Sequence, residues 1–547
     1  MSGRRSRARR RLALALTAKP GALALTMLPA QVATAAATSV ACADVAGLQT
    51  AITDANAASE ATTITLAANC TYELTSGDTN GDGLPAISNT ITIVGNGSTI
   101  TRNSQDDFRI FAVAPEGDLT ISNLTITNGS VVDGAEAYGG GIYNAGGTLL
   151  VTGSTISGNR VAATGNFATA ASGGGIATTG NTTVINSKIF DNAATLTNTG
   201  SQLGAAGAAG GGIASKGGNL TVRTSTVSDN DVSATTNANL NSVSASGGGI
   251  VAKIGGPGNN SGPDGTVIVN TTTLSGNTVS ASATGSSTAS ADAAGGGFAM
   301  NNLGNGESAP SLASKLVNNT ISANVASRTG GSLTSAATGG GIALKGGNTG
   351  DTLDVVNNTV AGNTSDGGAV MQNGGGTLTL TNTIISSTDE DNCDGDVADG
   401  GNNISFPATD TSCANTFASG DPRLGPLAAN GGPTKTMALL TGSTAIDTAD
   451  AEACATALPD GAGGIDQRGE PRPETNGTAC DVGAYEAQPV AAEAPAATEP
   501  PGLPAAGRLP DAPSGGDPWV ILVPAATVAA AAAVGGARLR RRSRPAL

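Results

Sequence analysis

The sequence predicts an all-β chain wound as a right-handed parallel β-helix. This solenoid is closed by an N-terminal capping helix and a disulfide-containing C-terminal cap, with a single C-terminal transmembrane or sorting helix behind it. Three observations carry the prediction. Gly-Gly-Gly-Ile or Gly-Gly-Gly-Phe begins at Gly139, Gly173, Gly210, Gly247, Gly295 and Gly339, at spacings of 34, 37, 37, 48 and 44 residues, and a worn copy, Gly367-Gly368-Ala369-Val370, follows 28 residues later. Between the triads, β-branched residues alternate with Ser, Thr and Asn, the period-two pattern of half-buried strands. Glycine fills 80 of 547 positions while only 13% of residues are charged and 2% aromatic, which suits an array of short repeats rather than several separate cores. Glycine has no every-third-residue period, which excludes collagen, and 39% apolar content argues against disorder.

Residues 1–37 read as a secretory signal peptide. Arg4, Arg5, Arg7, Arg9, Arg10 and Arg11 precede apolar segments, and Ala33-Thr34-Ala35 and Ala35-Ala36-Ala37 supply the small residues of a cleavage site. In the next segment, 38–60, Val45, Leu48 and Ile52 have the spacing of one amphipathic helix, suited to cover the open first coil.

Residues 61–390 form the repeat array. Most triads are followed by a strand and then by Thr-aliphatic-x-x-Asn, as in Thr155-Ile156-Ser157-Gly158-Asn159, Thr226-Val227-Ser228-Asp229-Asn230 and Thr320-Ile321-Ser322-Ala323-Asn324. Such a unit cannot bury its inner face alone. Stacked coil on coil, its Ile and Val positions align about 4.8 Å apart and its Asn side chains form hydrogen-bonded ladders, giving about ten coils and a length on the order of 50 Å. Variable Ala/Ser/Thr/Gly segments such as 162–172 and 280–294 recur at one phase of the repeat and are expected to project from one side, either as a binding face or as tolerated loops. The triad with its Asn turn resembles the parallel β-helix repeats of polymorphic outer-membrane proteins and bacterial surface adhesins.

Six cysteines lie outside the array and allow fifteen pairings; their positions favour Cys42 with Cys70, Cys393 with Cys413, and Cys454 with Cys480. An even count in an exported chain with no Cys-x-x-Cys favours disulfides over zinc. Residues 391–488 carry ordered motifs: Asp421-Pro422-Arg423, Asn430-Gly431-Gly432-Pro433-Thr434, Asp466-Gln467-Arg468-Gly469 and Cys480-Asp481-Val482-Gly483-Ala484-Tyr485-Glu486. This series resembles the bacterial choice-of-anchor Q domain, which implies a surface protein and a cap on the β-helix, and brings no established reaction.

Residues 489–517 are a Pro/Ala-rich spacer, and residues 518–547 end the chain as a transmembrane or cell-wall sorting segment with a basic tail. Residues 518–537 are uncharged and long enough to span a membrane, and the arginines from Arg538 onward place the C-terminus on the cytoplasmic side before any processing. Spacer, apolar stretch and basic tail resemble a sorting signal cut by sortase and joined to peptidoglycan. The nearest motif is Leu503-Pro504-Ala505-Ala506-Gly507, with Ala506 where that family has Thr. A retained membrane anchor is the alternative.

Histidine is absent, which removes every mechanism that relies on imidazole. The net charge is -15, but residues 1–37 hold 7 basic residues and 508–547 hold 6 basic and 2 acidic, leaving 14 basic and 40 acidic residues between them, a net of -26. Such a chain is no partner for nucleic acid. Carboxylates are scarce in the coils, Arg160 and Asp191 are isolated within their repeats, and no convergent acid–base pair is visible. Asp78, Asn80 and Asp82 hold the first, third and fifth places of a calcium-loop pattern, with Gly83 at the sixth but Asn89 at the twelfth. An ordinary Asp/Gly turn competes with that reading, and the Asp389, Glu390, Asp391, Asp394 and Asp396 cluster reads as an exposed acidic loop or a second calcium candidate. The expectation is a non-catalytic, secreted, surface-anchored protein, an adhesin or structural module for an extracellular glycan or protein. A carboxylate-dependent polysaccharide lyase or glycoside hydrolase and a passive rigid spacer are the alternatives.

Overall fold

The computed structural model describes residues 36–200, 205–237, 242–254, 265–284, 289–302, 312–330, 336–346, 350–366, 369–387, 391–474, 477 and 479–488. The chain divides into two units, Met1–Pro489 and Val490–Leu547, and all described residues belong to the first. Most of the signal segment, the spacer, the 503–507 motif and the 518–537 stretch lie outside the described residues; among those described, no helix is long and apolar enough to cross a membrane.

The body is a parallel β-solenoid. A 21-stranded sheet supplies two columns of strands and a 9-stranded sheet the third. In the first column Ile64, Ile93, Ile121, Val151, Val184, Val222 and Val269 are register partners in successive strands. In the second, Ile126, Ile156, Ile189, Val227, Leu274 and Ile321 align, and in the third, Phe111, Ile142, Ile176, Ile213, Ile250 and Phe298. All are fully buried in one continuous core, each stabilising the stack by about 1.5–3 kcal/mol.

The corners are set by left-handed residues. Asn186, Thr224, Thr271, Asn318 and Asn357 have φ between 48° and 54° where the first column turns into the second. Two interior ladders then satisfy the polar backbone at the bends. Asn159, Asn192, Asn230, Asn277, Asn324 and Asn363 each donate from Nδ2 to a carbonyl of the preceding coil, and each but the last also to the next Asn Oδ1 at 2.8–3.0 Å. The second ladder, which sequence reasoning missed, runs through Ser154, Ser187, Ser225, Thr272, Asn319, Asn358, Thr383 and Asn403, where side-chain oxygens accept the backbone N–H of the preceding coil.

The variable segments are not loops. They form two further parallel sheets, of seven and six strands, that face one another as a fin on one side of the body. Segment 162–172 contributes to Arg160–Gly165 and Ala170–Ser172, and segment 280–294 to Thr278–Ala283 and Ala291–Ala294. The fin has its own core, chiefly Ala163, Ala194, Ala208, Val232, Ala234, Ala245, Val279 and Ala293. Small side chains bring Cα atoms of facing strands within 8 Å, closer than the roughly 10 Å of ordinary sheet stacking.

The glycine triads form the neck where the fin rejoins the body, and each position needs glycine for its own reason. Gly139 has φ +61°, a Cβ on Gly140 would lie 2.5 Å from the Arg160 carbonyl oxygen, and one on Gly141 would lie 2.7 Å from that of Gly175.

Both ends differ from expectation. Ala36–Val40 is a strand paired with Thr62–Leu66, so the stack begins inside the stretch assigned to the signal peptide and before the helix. The helix, Val45–Ala57, is capped by Asp44, whose carboxylate accepts from the Gly47 N–H at 2.8 Å, and it buries Leu48 and Ile52 in the body core. At the other end, parallel pairing continues past residue 390 through Asp391–Asp394, Val397–Asp399 and Ile404–Phe406. Cys413 and Phe417 join the body core beyond the last parallel strand, and residues 421–488 pack on Ile404 of that strand and on earlier coils. They run back along the flank as a strap over one corner, where Thr273, Thr320, Thr359 and Ile384 are buried, while at the same place in earlier coils Thr226 is half-buried and Lys188 exposed.

Candidate functional site

The ordered motifs of the strap converge. The Arg472 guanidinium is wholly buried; Nη1 donates to the Asp481 carbonyl at 2.7 Å and to Glu486 Oε2 at 3.2 Å, and Nη2 to the Gly483 carbonyl at 2.6 Å. Asp466 accepts the backbone N–H groups of Arg468, Glu470 and Glu486, and pairs with the Arg468 guanidinium at 2.7 Å, which in turn lies 3.7 Å from the centre of the Tyr485 ring. Asp481 accepts from the Asp447 and Ala487 N–H groups. Burial raises the Asp481 carboxyl and pushes that of Glu486 up to about 7 against the pull of Arg472. Three carboxylates and two guanidiniums thus stand together as an acid–base cluster would, but apart from Arg472 Nε, which is buried without a partner, they bond chiefly to one another and to backbone, and they are closed to solvent. Their geometry supports a lock that holds the strap together.

Gln467 ties that lock to the body. Its Nε2 donates to Thr273 and Thr434 Oγ1, both at 2.9 Å, while the Thr320 hydroxyl donates to its Oε1 at 2.6 Å. Further along the corner the Ala484 N–H donates to Thr359 Oγ1 at 3.0 Å and the Asp450 N–H to Asn382 Oδ1 at 2.7 Å. The disulfides are Cys42–Cys70, Cys393–Cys413 and Cys454–Cys480, closing sequence separations of 28, 20 and 26 residues; in the chain-entropy account each stabilises by about 3 kcal/mol.

Asp78 and Asp82 meet in one turn. Asp78 Oδ1 accepts the Asn80 and Asp82 N–H groups at 2.8 and 3.0 Å. Asp82, buried, pairs with Arg109 Nη1 at 2.6 Å, and burial raises its carboxyl despite that cation. A guanidinium therefore stands against the Asp82 carboxylate, and Asn80 contributes its backbone N–H to the turn. Asp391, Asp394 and Asp396 are exposed, while Asp389 and Glu390 lie outside the described residues. Among the described residues no three His, Cys, Asp or Glu side chains are grouped to hold a metal ion.

Two surface features were not visible as sites in the sequence. On the fin's seven-stranded sheet, Thr195, Ser233, Ser280 and Ser327 are register partners, as are Thr197, Thr235, Ser282 and Thr329. They form two parallel, uncharged hydroxyl rows, the first of them half-exposed throughout. The second feature brings Arg160 together with Arg102, from two coils earlier, across a cleft of about 300 Å³. A register count along the coils is the signal that finds both.

No protein-family model, curated protein or solved structure matches this chain.

Proposed function

We propose that the chain is a secreted, surface-anchored protein that uses its solenoid, wound in the right-handed sense usual for parallel crossovers, as a scaffold for binding extracellular glycans or proteins. The fin carries this reading. The body core is continuous without it, so the middle coils devote further strands to a second core whose outer side carries repeated hydroxyls. Such a face offers donors and acceptors at a fixed strand spacing of about 4.8 Å, suited to a repeating partner, and it requires no catalytic group. The strap fits the choice-of-anchor Q resemblance, since its motif residues hold one another and the flank. An anchor through residues 503–507 or 518–537 belongs to the same proposal, with sortase and peptidoglycan or the membrane as partners; calcium at Asp78 and Asp82 is not needed for it.

The test is retention of the purified chain on arrays of glycans and matrix proteins, beside a Ser233→Arg/Ser280→Arg variant. The expected result is binding by the natural chain and at least about a tenfold loss in the variant, with the β-sheet circular dichroism spectrum unchanged. Equal binding by the variant overturns the fin as the binding face, and cleavage of any polysaccharide by the pure chain overturns the non-catalytic reading.

A further inference from the structure

The cleft between Arg102 and Arg160 arises from a local change in the repeat. Thr101, Thr127, Ser157, Phe190 and Ser228 are register partners, so Arg102, Asn128, Gly158, Asp191 and Asp229 follow one another at one corner. Carboxylates occupy that corner in the later two coils and a guanidinium in the first. One residue further on, the Asn ladder ends: Asn159 has Gly129 before it, whose N–H donates to Asn159 Oδ1 at 2.9 Å. Gly158 presents no side chain to the cleft, and Gly129, where a Cβ would lie 2.0 Å from the Gly140 carbonyl oxygen, lines it with backbone.

The two arginines are held differently. Arg102 is fixed by neutral groups: Nε donates to the Asn128 carbonyl at 2.9 Å and Nη1 to those of Ser104 and Asp106 at 2.6 and 2.9 Å, with the guanidinium 5.9 Å from the centre of the Phe108 ring. It forms no ion pair with any described carboxylate. Arg160 is 59% exposed; Nε donates to Ser130 Oγ at 3.0 Å, and Nη2 stands 3.6 Å from Asp107. One positive charge is thus oriented but unneutralised, and the other is only loosely paired. Asn103, Ser104 and Asn128 add amide and hydroxyl groups to the lining.

From this geometry we infer that the cleft between Arg102 and Arg160 is a binding site for a carboxylate-bearing sugar, a uronate residue within a glycan. The N–H groups that these bonds leave on the two guanidiniums, Nη2 of Arg102 and Nη1 of Arg160, suit a carboxylate, the amides and hydroxyl match ring hydroxyls, and the volume lies at the small end of the ligand-site range, enough for one or two sugar rings. The acidic surroundings repel diffuse anions, so binding depends on local contacts. The choice of a saccharide rests on the surface-binding reading above; the cleft itself is independent of the fin face.

The experiment is calorimetric titration of the full chain with tri-galacturonate, tri-mannuronate and a hyaluronan tetrasaccharide, and with the methyl ester of whichever binds. The acid is expected to bind about tenfold or more tighter than its ester, the value of one charge-assisted hydrogen-bond pair. Arg160→Gln and Gly158→Asp each abolish that preference without lowering the melting temperature; Asp is compatible with the backbone because Asp191 and Asp229 hold the equivalent positions with φ of 55° and 56°. Ser233→Arg/Ser280→Arg leaves uronate binding unchanged, which separates this site from the fin. Absence of binding by all three acids, equal affinity for acid and ester, or wild-type affinity in Gly158→Asp overturns the inference while leaving the fin reading intact.

Discussion

The fin and the strap both clothe the sides of one body, yet they are made of opposite materials. The fin is written in the repeat itself, with Ala and Val inside and Ser and Thr outside, and the middle coils restate it. The strap is written once, in unrepeated motifs dense with Asp, Glu and Arg. Motif density would draw attention to the strap as the place where chemistry happens. Its Asp466, Arg472, Asp481 and Glu486 are turned on one another and buried, whereas the plain fin keeps a regular, half-exposed hydroxyl row. The difference teaches that conspicuous residues in this chain are spent on holding a single flank segment in place, and that repetition is what builds a surface for others.

The sharpest way to break this contrast is Arg472→Met. Removing the cation leaves Glu486 buried without its partner and orphans the Asp481 and Gly483 carbonyls, so the strap is expected to lose about 3–5 kcal/mol. Denaturant unfolding together with limited proteolysis beyond residue 420 measures it. Unchanged resistance would mean that the charge cluster is not the lock.

A smaller effect is expected inside the fin. Ala245→Leu forces a large side chain between two sheets that approach closely because their facing residues are small, at about 1–3 kcal/mol. Hydrogen exchange should then accelerate in Ser242–Ser246 and Asp231–Thr236 while Ile213–Ser215 and Leu220–Arg223 in the body stay protected. Equal loss in the body would show that the two cores are one cooperative unit.

A third effect is in the pH dependence of the strap. Burial raises the Glu486 carboxyl from 4.5 to about 7, so the folded state holds this proton where the unfolded chain has released it. Stability from this group therefore rises as pH falls from about 7 to about 4.5 and changes no further below that. Falling net repulsion in an acidic chain acts in the same direction, and Glu486→Gln isolates the group: the variant should show a shallower rise over that window by calorimetry. An identical slope would place the titration elsewhere.

Much of the body was legible because its causes are local. Period-two alternation marks the strands, Gly and Asn mark the left-handed corners, and the three cysteine pairs join near neighbours in sequence. The fin's strands are hidden in the sequence because Ala, Ser and Thr give a weak strand signal. Ala163 or Ala245 says little until the coils above and below supply the ladder and the facing sheet supplies the other half of the core. The second interior ladder was hidden similarly, since Ser154, Thr272 and Asn319 differ in type and share only a place in the stack.

The cleft and the strap show where sequence alone ran out. Arg160 looked solitary within its repeat, and only the coil-to-coil register sets it near Arg102. The strap follows the array in sequence, but its seat is made by residues far away in the chain: Gln467 meets Thr273 across 194 positions. The sequence by itself determined the parallel coils, the glycine corners and the charge balance, since each follows from side-chain period or backbone conformation within a few residues. Only the tertiary structure decided the fin, the strap's course and the meeting of Arg102 with Arg160, because each depends on which coil lies against which, and that is settled by stacking and burial rather than by any local preference.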